Sequence, residues 1–331
     1  MSADWKQRPE GGGRFALGLI VGLARLFHGW VARVLLLPIT LYFLIVRGPE
    51  RSASRTYLTR ALGRPAGLWD AAQHIHSFAS TLVDRVLLLG GHTRQFDVHI
   101  HGVEAVHERL DSGHGLLLFG SHLGSFEVLR VLARRRPEYV IRVVLDKGHN
   151  PAMTQLLDDL NPTIAAGVID AAQDGPTLVL AIKQALDEGA LVALLVDRTR
   201  PGEPSLPATF LGAIARFPTA PWLIASVLQV PVFLAFGLYR GNRRYDLVFE
   251  PFSDGAAVPR PQRAQALTTL IQRYAARLEH YARQAPYNWF NFYDFWTTDD
   301  ADQAIPVATA AHGDGADADL AVQRRGWRRA S

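Results

Sequence analysis

The sequence predicts an α/β fold: a largely parallel central sheet flanked by helices, preceded by an apolar N-terminal helix that anchors the chain to a membrane. Three observations carry this. From about residue 96, short apolar runs alternate with helix-length amphipathic stretches. Within that region the run LLLF, Leu116 to Phe119, is continuously apolar, as a strand covered on both faces requires. Residues 15–46 are apolar apart from Arg25, His28 and Arg33.

Taken in order, residues 34–46 carry no charge but are fewer than the roughly 20 apolar residues that span a bilayer. The whole of 15–46 is therefore read as a single span or a re-entrant anchor bent at Pro38, with packing on the domain as the alternative. Residues 96–101 alternate strictly and predict a half-buried strand with His99 and His101 on its polar face. Further strands are predicted at 116–119, 139–145, 163–169, 191–196, 232–238 and 244–249. Helices are predicted at 103–110, 126–136, 151–160, 177–187 and 221–228. A long amphipathic helix over 261–284 places Leu267, Leu270, Ile271, Tyr274, Leu278 and Tyr281 on one stripe. The chain thus divides into an anchor and basic linker (1–60), an α/β domain (61–297) and a tail (298–331) rich in Ala, Asp and Gly that is expected to be disordered.

At 331 residues and 48% hydrophobic, the chain can bury a full core without staples. It has no cysteine, which excludes a thiol nucleophile, a zinc–thiolate site and disulfides. Lysine occurs only at Lys6, Lys147 and Lys183, so arginine carries nearly all of the basic charge behind the net +4. Basic clusters at Arg47, Arg51, Arg55 and Arg60, at Arg134 to Arg136, and at Arg324, Arg325, Arg328 and Arg329 point to an anionic membrane surface, since no nucleic-acid-binding module accompanies them.

Chemistry concentrates at GSHLGSFE, Gly120 to Glu127, where the buried strand meets a helix. His122 on the loop and Glu127 in the first turns of the helix could meet across the bend. The carboxylate would hold one imidazole nitrogen and leave the other free to take a proton from a hydroxyl or amine. Gly120 and Gly124 would let a substrate approach the backbone, and free amides at the helix start could face an oxyanion. A plain structural turn is the competing reading. Ser121 and Ser125 lack a G-x-S-x-G elbow, so they are read as helix caps, not nucleophiles. No third ligand accompanies His99 and His101, and no metal site is assigned.

The combination resembles the glycerolipid and lysophospholipid acyltransferase superfamily, and more closely its branch of late acyltransferases of lipid A biosynthesis. The matching features are His-x4-Glu after a buried strand; Asn150-Pro151 opening a helix; Asp197 ending a strand in LLVDRTRPG; Phe210 and Gly212 leading to a small-residue helix; and Pro231-Val232. They cover about residues 10–297 in order. The resemblance implies transfer of an acyl group from an acyl carrier protein or coenzyme A thioester to a lipid hydroxyl or amine, at the cytoplasmic face of a bacterial inner membrane and with no cofactor. It makes His122 the base and Glu127 its orienter. Gly120, Gly124, Lys147, Asn150, Asp197, Arg198, Phe210, Gly212 and Arg216 become candidate substrate-binding residues.

Three departures bear on the acceptor. Lys147 or Arg142 stands in for an Arg expected before Asn150-Pro151, Asp197-Arg198-Thr199 replaces Asp-x-Asp, and the aromatic strip from Asn288 to Trp296 replaces a basic C-terminal motif. The strip suits an apolar or conjugated ligand, a membrane interface, or packing against the last helix. It is similar to acyltransferases associated with aryl polyene lipids. Arg216 could grip a phosphate or pair on the surface. A lysophospholipid acceptor, a noncatalytic membrane adaptor of the same fold and a serine hydrolase are the alternatives to a lipid A-like enzyme.

Overall fold

The computed structural model describes residues 30–148, 154–155, 159–160, 165–199, 202–255 and 260–296. Asn150, the Asn-Pro helix start and the C-terminal tail lie outside the described residues, as does the apolar stretch before Trp30.

Seven strands form one sheet: β1 (Asp97–His101), β2 (Leu116–Gly120), β3 (Ile141–Leu145), β4 (Val168–Asp170), β5 (Leu191–Leu195), β8 (Val232–Tyr239) and β9 (Arg244–Ser253). Their order is β1-β9-β8-β2-β5-β3-β4, and every neighbouring pair is parallel except β8 with β9. LLLF lies in β2 near the middle of the sheet, where side chains above and below are covered; each of its residues has no exposed surface. The expected strand at 163–169 is short, because Ala165 and Ala166 are helical and pairing begins at Val168.

A separate hairpin, β6 (Ser205–Phe210) and β7 (Ala213–Pro218), stands where the sequence suggested a turn into a small-residue helix. That helix, α7 (Ala220–Leu228), begins only after β7. The crossover helices α4 (Glu104–Asp111), α5 (Leu129–Arg135) and α6 (Gly175–Asp187) fall where periodicity put them, give or take two or three residues. The closing helix α8 (Arg263–Gln284) buries Leu267, Ile271, Tyr274, Leu278 and Tyr281 on its predicted stripe.

Ahead of the sheet stand α1 (Trp30–Val46), α2 (Gly48–Leu62) and α3 (Leu68–Leu89). The expected basic linker is instead the helix α2, whose inner face buries Ala53, Ser54, Tyr57, Leu58 and Ala61 and leaves its arginines outward. Leu36 on α1 packs into a cluster with Val83, Val86 and Leu87 of α3. The 17 described residues of α1 rise about 26 Å. No helix among the described residues is long and apolar enough to cross a membrane. Yet Leu37, Leu41, Tyr42, Ile45 and Val46 of α1 are each more than half exposed.

Candidate active site

Two parallel strand ends build the site. Gly120 of β2 is the register partner of Leu195 of β5, and Val196 N donates to the Gly120 carbonyl at 3.1 Å. Both chains leave the sheet in step, so two residues later His122 comes opposite Asp197. His122 Nδ1 lies 2.8 Å from Asp197 Oδ1, and the His122 backbone N–H donates to Oδ2 at 3.1 Å. The indole N–H of Trp289 donates to the same Oδ2 at 3.0 Å.

Asp197 has no exposed surface. Burial alone would push its carboxyl up, but the His122 imidazole, Arg198 and the Trp289 indole outweigh it and hold the group down at about 2. A carboxylate only accepts hydrogen bonds, so the proton of the neutral imidazole sits on Nδ1 and Nε2 keeps its lone pair. The imidazole side chain is 30% exposed.

The loop that carries His122 is pinned from the other side by residues 288–290. Phe290 N donates to the His122 carbonyl at 2.9 Å, and Gly124 N donates to Asn288 O at 2.8 Å. Ser125 N donates to Gly237 O on β8 at 2.8 Å, and Asn288 Oδ1 accepts from Tyr239 N at 2.6 Å. The amides of Gly124 and Ser125 are thereby spent on carbonyls and are not among the free amides that could face an oxyanion.

Glu127 does not brace the imidazole. It is the middle residue of the 3-10 turn Phe126–Val128 and turns toward α3: Oε1 meets Arg85 Nε at 2.7 Å, while Oε2 accepts from the neighbouring Ser125 hydroxyl at 3.0 Å. Sheet register, which is invisible in local spacing, delivers Asp197 to the imidazole instead. Ser125 gives its hydroxyl to Glu127 and does not cap the turn; it and Ser121 are both buried.

The other candidates fall into two groups. Arg198 and Asp197 lie at the site, but Arg198 turns inward: its guanidinium donates to the Phe290 carbonyl at 2.6 Å and lies over the Tyr293 ring. Thr199 joins this loop to β7 by donating to the Arg216 carbonyl at 3.2 Å, while the Arg216 guanidinium donates to the hydroxyl and carbonyl of Ser205. Lys147 follows β3, with its amide on Asp170 Oδ1 and its carbonyl on Thr154.

Gly120, Gly124, Phe210 and Gly212 serve packing and turns. A Cβ on Gly120 would meet the Phe126 ring at 2.5 Å, so that ring fills the space beside the glycine. Phe210 is fully buried against Trp289, Phe295 and Trp296. Gly212 sits at the exposed β6–β7 turn. The aromatic strip is likewise mostly interior, with Trp289, Phe290 and Phe295 all buried.

Sequence reasoning missed Trp289 as the partner of Asp197 and Tyr274 as a donor to the Gly120 carbonyl at 3.1 Å. No spacing rule marks either; only an aromatic whose polar tip must find a partner once buried hints at them.

A comparison with curated proteins found no match to this chain. A family model described as bacterial lipid A biosynthesis acyltransferase matches residues 74–298, which include both strand ends, His122, Asp197 and the 288–291 segment. With about two-thirds of its length so matched, the chain belongs to the bacterial lipid A biosynthesis acyltransferase family.

Proposed function

We propose that the chain transfers a fatty acyl group from a thioester, carried by an acyl carrier protein or coenzyme A, to a hydroxyl of a lipid acceptor, with His122 as general base and Asp197 as its brace. The observation that carries this reading is the 2.8 Å contact between His122 Nδ1 and a fully buried Asp197 carboxylate, on an imidazole that is itself partly open. Nε2 takes the proton of the acceptor hydroxyl as its oxygen attacks the thioester carbonyl, and Asp197 stabilises the imidazolium. Collapse of the tetrahedral intermediate breaks the C–S bond, and the imidazolium returns its proton to the leaving thiolate. No covalent acyl-enzyme is needed, which agrees with the burial of Ser121 and Ser125.

The reading includes a place at the cytoplasmic face of a bacterial inner membrane. The exposed apolar face of α1 supports it, as do Arg51, Arg55 and Arg60, which line a cleft of about 650 Å³ on the outer side of α2. Mass spectrometry of lipids from cells expressing the wild-type chain or His122→Ala tests the whole. The expected result is one lipid species that gains an acyl chain only with the wild type. Equal acylation in both would remove His122 from the reaction.

A further inference from the structure

Among the described residues this mechanism leaves one buried imidazole unused. His74 on α3 has no exposed surface, and both of its ring nitrogens are engaged: Nε2 lies 3.0 Å from the carbonyl oxygen of Trp289, and Nδ1 lies 2.8 Å from Ser54 Oγ. A carbonyl only accepts, so Nε2 carries the proton, Nδ1 is bare, and the Ser54 hydroxyl donates to it. The pair superficially suggests a nucleophile and its base. Ser54, however, is also fully buried and its proton points at the imidazole, while the ring is stacked against Phe292 at 4.7 Å.

What His74 touches is the peptide unit between Trp289 and Phe290. The other edge of that unit, Phe290 N–H, donates to the His122 carbonyl at 2.9 Å. A trans peptide is a rigid plate whose C=O and N–H point in opposite directions. One plate therefore stands between His74 on one side and the main chain of His122 on the other. The residue that owns the carbonyl, Trp289, also sends its indole N–H to Asp197. Tyr57 O–H holds the preceding stretch by donating to Pro286 O at 2.8 Å.

We infer that His74 is a positioning residue for the His122–Asp197 pair, acting through the Trp289–Phe290 peptide, and that Ser54, by donating to Nδ1, holds the ring in the orientation that lets it do so. Donation from His74 polarises the peptide and strengthens the bond its N–H makes to His122. Losing it frees the plate to tilt, and both the base and the indole that steadies Asp197 move with it. The inference rests on reading His122 as the base.

The test uses the full chain with ¹⁵N-labelled histidine and tryptophan, and the variants His74→Phe, His74→Gln and Ser54→Ala. His74→Phe should lower kcat roughly ten- to a hundredfold with KM within about twofold, the range a misplacement on the order of 1 Å produces. It should also shift the Nδ1 proton resonance of His122 and the indole proton resonance of Trp289. His74→Gln, whose amide can still donate to the carbonyl, should recover most of both readouts. Ser54→Ala keeps the ring and should move both in the same direction by less, which covers the case where His74→Phe does not fold.

The inference is overturned if both resonances stay at their wild-type positions in His74→Phe and Ser54→Ala, or if Gln is no better than Phe. Undiminished activity of His122→Ala would instead sink the base reading, while the resonances would still report whether His74 sets the geometry.

Discussion

Gly124 and Gly237 stand backbone to backbone: a Cβ on Gly124 would lie 1.9 Å from the Gly237 carbonyl oxygen, and one on Gly237 would lie 2.2 Å from the Ser125 carbonyl oxygen. Gly124 also adopts φ +70°. The turn that carries His122 is thus pressed onto β8 by two glycines that face each other. Gly124→Ala should cost at least about 2 kcal/mol, since the left-handed conformation alone costs roughly 1–2 kcal/mol for a side-chain-bearing residue and the clash adds to it. Denaturant unfolding measures the loss, and activity should fall further than stability predicts because the loop is displaced. Wild-type stability and activity in Gly124→Ala would mean that this contact does not set the loop.

Asp197→Asn and Glu127→Gln separate the two carboxylates. An Asn at 197 can offer its amide N–H to Nδ1 and favour the wrong tautomer, so kcat should fall on the order of 10²–10⁴-fold, the worth of a positioned base. Glu127→Gln weakens the contact with Arg85 and changes the bond from Ser125, both away from the imidazole. Its effect should appear in KM or in stability and leave the pH dependence of kcat unchanged. Steady-state rates across pH decide the matter. A pH profile altered by Glu127→Gln and not by Asp197→Asn would reverse the assignment.

The strands were legible because their chemistry is local: LLLF and the apolar run of β5 state their burial outright. The neighbours of those strands were not legible, and the site depends on neighbours. Asp197 lies 75 residues from His122 and reaches it only because Gly120 pairs with Leu195. The β6–β7 hairpin was hidden by its turn, where Leu211 rather than Asn or Asp takes positive φ (51°) ahead of Gly212, with its amide held by Glu279. The helix α3 was hidden because its inner face mixes polar residues with apolar ones. Asp70, His74 and Asp84 are buried there, with partners as distant as Trp289 and Tyr245, so an apolar stripe never becomes clean.

Burial of His74 makes stability depend on pH. Desolvation pushes this imidazole down to about 4 from its ordinary 6.5, while the unfolded chain leaves it at 6.5. Between those values the unfolded state binds the extra proton, so stability rises with pH: it is complete above about 6.5 and is lost progressively as pH falls toward 4. The full shift corresponds to on the order of 3 kcal/mol. Denaturant midpoints measured from pH 7 to pH 4 should decline in the wild type, and that part of the slope should be missing in His74→Gln. Parallel profiles for the two proteins would show that His74 does not carry the dependence.

The exposed face of α1 predicts how the chain meets a bilayer. Leu36 faces α3 with no exposed surface, whereas Leu41 and Ile45, one turn apart, are 55% and 65% exposed. The two sit on a face that leaves the packing on α3 intact. If that face lies among acyl chains, burying two such side chains contributes about 2 kcal/mol each, and losing both should reduce membrane partitioning by about 10³-fold. The double variant Leu41→Glu/Ile45→Glu should therefore move from the floating to the soluble fraction when mixed with vesicles of mixed zwitterionic and anionic phospholipid. Its unfolding transition should stay close to that of the wild type, because neither side chain is part of the core. Flotation undiminished in the double variant would place the membrane contact elsewhere on the chain, and a collapsed unfolding transition would mean that this face packs against protein.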